Sequence, residues 1–145
     1  MIRFFGGRVM TLANGIETQD IEVWTEGSKI VFVGKPKAEE LDGKVFEREY
    51  DLKGNLLMPS FKNAHTHSAM TFLRSYADDM PLQDWLFKQI FPMEAKIDGE
   101  KVYWLTKLAI LEYLTTGCTA AFDMYFELDD YVKACIESGF RSVLC

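Results

Sequence analysis

Near Met58 the chain changes its hydrophobic rhythm. Before that point, short β-type runs follow one another: IRFF, RVMTL, IETQDIEVW, KIVFVG and KVFEREYDL. Residues suited to tight connections separate them. Gly6-Gly7, Asn14-Gly15, Glu26-Gly27-Ser28 and Asp42-Gly43 supply positive φ or side-chain bonds to the backbone. This spacing predicts a small antiparallel β-domain over residues 1–58.

After Met58 the pattern alternates between strand and helix. It predicts a strand-like run (LLMPSFKNAHTH), two helical segments, a strand (CTAAFDMYF), a helix from Asp129 to about Glu137 and a terminal strand, RSVLC. Between Lys101 and Tyr113, Val102, Leu105, Leu108 and Ala109 recur at helical spacing, and Gly117 stops that helix. The order over residues 59–145 is βαβαβ, which requires parallel strands joined by crossovers. RSVLC stops without a turn or polar tail, so further sequence is expected beyond Cys145.

Composition narrows the partners. At 48% hydrophobic and 26% charged residues, the chain has the make-up of a globular protein. A net charge of -6, with no Lys/Arg cluster, argues against nucleic acid and leaves a small molecule or another protein, including a homo-oligomer. No apolar stretch approaches the roughly 20 residues that span a bilayer, and MIRFFGGRVM lacks the apolar core of a secretory signal. A cytoplasmic location with no membrane partner is therefore expected. Cys118, Cys135 and Cys145 are odd in number and form no CxxC pair, so they read as buried thiols.

The only two histidines carry the chemistry. In a strand, residues i and i+2 point to one face, so His65 and His67 present both imidazoles together while Thr66 points away. Such a pair suits a divalent metal. A bare HxH triplet is weak by itself, but here it ends an extended run that begins near Pro59 and meets a loop.

The segment from Leu56 to Ala95 resembles the metal-dependent amidohydrolase superfamily, within it the branch of 5-methylthioadenosine/S-adenosylhomocysteine deaminases and chlorotriazine hydrolases. The blocks that carry the resemblance are Met58-Pro59-Ser60, Asn63, His65-Thr66-His67, Ala77-Asp78-Asp79, Trp85-Leu86, Pro92-Met93-Glu94 and Phe122-Asp123-Met124-Tyr125-Phe126. The resemblance implies the N-terminal part of a (β/α)8 TIM-type barrel, preceded by a β-domain that residues outside this chain complete. A whole barrel needs roughly 250 residues, against 145 here. It also implies one divalent metal, zinc with iron, nickel or manganese as alternatives, held by His65 and His67 together with ligands beyond Cys145. No catalytic residue is assigned within this chain. The implied reaction is hydrolytic deamination of an adenosine-like substrate, with Glu94 on the sugar hydroxyls and Trp85 as a flat apolar wall.

Other readings stay open. The same fold acts on triazine, guanine, cytosine or pterin rings, and a truncated chain would be inactive. Glu94 also reads as a carboxylate at a helix N-terminus, Trp85 as loop packing, Asp78-Asp79 as solvated, and Asp123 as either site-facing or structural. The HxE and PCxxC pattern of the other zinc deaminases is absent. Ser60 and Lys62 depart from the family's usual Gly and apolar residue. By alternation Lys62 shares the face of Thr66, so it is expected to disturb helix packing more than metal binding.

Overall fold

Local contacts divide the chain at Pro59 in the computed structural model, which describes residues 1–13 and 15–145. Asn14 of the expected Asn14-Gly15 turn lies outside the described residues. The first unit, Met1–Pro59, holds β1 (Ile2–Phe5), β2 (Arg8–Thr11), β3 (Glu17–Gln19), β4 (Glu22–Glu26), β5 (Lys29–Gly34), α1 (Ala38–Leu41), β6 (Arg48–Asp51) and β7 (Leu56–Leu57). These form two sheets, ordered β5-β4-β1-β6 and β3-β2-β7. Val9, Val23 and Trp24 are buried, and the Trp24 ring stacks on Phe32 at 4.1 Å between centroids.

The expected antiparallel domain is corrected to a mixed one. β1–β4, β4–β5 and β2–β3 are antiparallel, but β6 runs parallel to β1 and β7 parallel to β2. After the β4–β5 hairpin the chain crosses over through α1 and returns in the direction of β1, as a parallel neighbour must. Two strand runs also divide. IETQDIEVW gives β3 and β4, and Leu56–Leu57 leaves the histidine-bearing run to pair with β2.

The second unit, Ser60–Cys145, begins with β8 (Phe61–Thr66) and a 3₁₀ segment, Ser68–Leu73. A continuous helical stretch follows, made of α2 (Leu82–Asp84), a π-helical turn at Trp85–Ile90 and α3 (Phe91–Glu94). Then come α4 (Gly99–Thr115), β9 (Cys118–Asp123), α5 (Leu128–Ser138) and β10 (Arg141–Leu144). β8, β9 and β10 lie in the order β10-β9-β8, every pairing parallel, with α4 and α5 as the crossovers.

The local reasons for α4 are readable. Asp98 caps it by accepting from the Lys101 backbone N–H at 3.1 Å, and Gly117 leaves it at φ +83°. Gly99 starts it where α5 comes close: a Cβ there would stand 2.0 Å from Asp130 Oδ2. The buried face of α4 puts Val102 and Ile110 into one core with Ala121 of β9, Tyr131 and Cys135 of α5 and Phe140. No helix among the described residues is long and apolar enough to cross a membrane.

Candidate functional site

β8 delivers the histidines where its pairing with β9 becomes irregular. The register shifts between Phe61 and Lys62 and again between Asn63 and Thr66. Within the second irregularity Asn63 Oδ1 accepts the His65 backbone N–H at 3.2 Å, an Asx-type bond that competes with the ladder. Thr66 points to α4, its Oγ1 2.5 Å from the Tyr113 hydroxyl. His65 and His67 face the other way, their ring centroids 5.1 Å apart and their planes at 85°.

His67 is held in one orientation. Its Nδ1 lies 2.9 Å from the Met124 carbonyl, and since a carbonyl only accepts, Nδ1 carries a proton, so that in the neutral ring Nε2 is the nitrogen with the lone pair. That is how a metal-binding imidazole is prepared, so the pair fits a divalent ion as two of its ligands. Among the described residues no third His, Cys, Asp or Glu joins them.

His65 and His67 line a pocket of about 660 Å³ together with Trp85 and Glu94. Leu82, Leu86, Ile90 and Phe91 of the same helical stretch and Met70, Met124, Tyr125 and Phe126 supply its other walls. The four residues singled out in the sequence thus meet in one space. Burial pushes the Glu94 carboxyl above the usual carboxylate range, opposed by the neighbouring Tyr125 hydroxyl and the His67 ring. Glu94 sits at the end of the stretch that begins at Leu82, so the helix-start alternative does not describe it.

Other sequence readings fall outside the pocket. Asp78 and Asp79 are exposed, and Asp123 is fully buried. Both Asp123 oxygens lie 3.2 Å from the Ser68 backbone N–H, and the carboxylate also accepts from the Ser68 hydroxyl and, at 2.7 Å, from Tyr131. It is structural, fixing the residue next to His67. Lys62 does not disturb a helix. Its ammonium donates to Ser60 Oγ at 2.7 Å and Thr119 Oγ1 at 2.9 Å, so the two departures from the family pattern bond to each other. The shifted register explains why simple alternation misplaces it.

Tyr125 escaped the sequence reading. β9 ends at Asp123, so strand alternation does not extend to Tyr125. Its place in the FDMYF block was the one available signal.

The sequence pattern of the Amidohydrolase family matches residues 56–145. The chain is 44% identical over 123 residues to a 5-methylthioadenosine/S-adenosylhomocysteine deaminase of Desulfitobacterium hafniense, covering 85% of this chain and 28% of that protein. It is 55% identical over 94 residues to a 5'-deoxyadenosine deaminase of Methanospirillum hungatei, covering 65% of this chain and 21% of the relative. Among solved structures, an adenosine deaminase from Xanthomonas campestris with bound zinc superposes with a TM-score of 0.89 at 34% identity, over 98% of this chain and 33% of its own. The chain thus spans about a third or less of the length of each of these proteins.

Proposed function

The chain belongs to the amidohydrolase family, and on that footing we propose that it carries the histidine pair and one pocket wall of a metal-dependent hydrolytic deaminase. The substrate is an adenosine-like nucleoside of the methylthioadenosine or S-adenosylhomocysteine type. The observation that carries this reading is the convergence of His65, His67, Trp85 and Glu94 on one pocket. The deaminase names of the relatives support it. In this reading β8, β9 and β10 begin a (β/α)8 barrel, whose active residues gather at the C-terminal ends of its strands. Residues 1–58 form a β-domain completed by sequence outside the chain.

His65 and His67 would hold the ion, zinc by preference for two imidazoles, and the Met124 carbonyl fixes the orientation of the His67 ring. When bound, the ion would supply Lewis acidity and lower the pKa of a water for attack on the ring carbon that bears the amino group. Glu94 accepts hydrogen bonds from two neighbouring sugar hydroxyls, and Trp85 packs its flat face on the substrate.

Metal analysis of the complete protein tests the first half: about one divalent ion per subunit is expected. A His65→Ala, His67→Ala variant should lose it, and full metal content in that variant would sink the assignment. Turnover tests the second half, with release of ammonia from an aminopurine nucleoside expected. Activity confined to triazines or free bases would contradict the nucleoside assignment.

A further inference from the structure

The Tyr125 side chain is 8% exposed, yet its hydroxyl has no hydrogen-bond partner among the described residues. A buried hydroxyl is ordinarily satisfied, so an orphan one that lines a pocket marks a place for a ligand atom. The ring itself is fixed, stacked on Phe126 at 4.4 Å between centroids and 19° between planes. The Glu94 carboxyl is close enough to pull on this hydroxyl as an acceptor, which adds to the effect of burial in raising the Tyr125 hydroxyl and opposes it in Glu94, but the two do not reach full hydrogen-bond geometry.

The donors and acceptors of the pocket are few. Besides the two histidines, only Trp85 and Tyr125 among its lining side chains carry an N–H or O–H, and Glu94 is the one carboxylate. A carboxylate takes the protons of two adjacent hydroxyls but leaves their oxygens without donors. Tyr125, buried beside Glu94, supplies what Glu94 cannot.

We propose that Tyr125 is a specificity-determining substrate contact, its hydroxyl donating to the oxygen of a ligand hydroxyl whose proton is accepted by Glu94. The pocket then selects a hydroxyl-bearing sugar by a donor and an acceptor acting together. This rests on the nucleoside reading above. Burial and the Glu94 charge push the Tyr125 hydroxyl well above the ordinary phenol range, so it remains a donor at neutral pH.

The test uses the complete, metal-loaded protein and Tyr125→Phe, which keeps the ring stacked on Phe126. For 5'-methylthioadenosine, kcat/KM should fall about tenfold or more, chiefly through KM, as expected for one lost hydrogen bond to a ligand. For the 2',3'-dideoxy analogue it should change little, and metal content should be unaltered. A Glu94→Gln, Tyr125→Phe pair should lose less than the two single losses combined, since both act on one hydroxyl. Equal losses on both substrates, or none, would overturn the role of Tyr125 while leaving the deaminase standing. A fully additive pair would overturn the joint action. If the unaltered protein turned over no nucleoside, the deaminase reading would fall, and this proposal with it.

Discussion

Asp123 shows how a residue outside the pocket governs it. Its carboxylate accepts from the Ser68 backbone, the Ser68 hydroxyl and Tyr131, while the next residue, Met124, offers its carbonyl to His67. One strand end therefore fixes both His67 and its neighbour. Asp123→Ala leaves the Ser68 backbone N–H without an acceptor and strips the charged acceptor from the Ser68 and Tyr131 hydroxyls, which keep only Tyr113 and Ser142 as partners, so a loss of roughly 3 kcal/mol is expected. Urea unfolding of the complete protein, with metal content measured alongside, checks it: stability should drop and metal affinity weaken. Unchanged stability would mean that these donors find other partners. Asp123 also marks a limit of sequence reading, since its residue type and position near a strand end left both a structural and a site-facing role open. Only the positions of Ser68 and Tyr131 decide.

The helical stretch from Leu82 to Glu94 explains a larger gap between sequence and site. Nine residues of regular α-helix turn a side chain by about 180°, which would put Trp85 and Glu94 on opposite faces. Both nevertheless line the pocket. The π turn absorbs about one residue, reducing that angle to roughly 80°. Pro92 accounts for it: having no N–H and pressing on the preceding turn, it disfavours the regular ladder, and Phe91 bonds instead to the Leu86 carbonyl. Strand order, helices α4 and α5 and the HxH pair were legible because they follow periodicity, capping and i, i+2 geometry. The shared pocket of Trp85 and Glu94 came from resemblance, and the parallel return of β6 and β7 was invisible because pairing partners leave no local mark. Pro92→Ala should let the helix regularise and turn Glu94 away, raising the nucleoside KM by about tenfold, roughly 1.4 kcal/mol. Deleting Lys88 in that background should restore it by removing the surplus residue. An unchanged KM in Pro92→Ala would show that packing, not proline, holds the turn.

At the scale of the molecule, the sheet of the second unit has only three strands, and its face carries apolar side chains in the open. Phe122 is 47% exposed and its cross-strand partner Val143 59%. With β8 and β10 at unpaired edges, the 145-residue chain alone is expected to bind a hydrophobic dye, to self-associate and to lack deaminase activity. Dye fluorescence and sedimentation check this; a monomer that binds no dye would contradict it. The mixed pairing of the first unit carries a further consequence, one of time. Ile2 pairs with Arg48 and Val9 with Leu57, whereas β4 and β5 meet across a short turn. Chains grow at roughly 5–20 residues per second, so β1 and β2 leave the ribosome on the order of seconds before β6 and β7 exist. The β4–β5 hairpin can close within about 10 microseconds of its synthesis. One edge of β1 and one edge of β2 must wait, unpaired, for the strands that complete them.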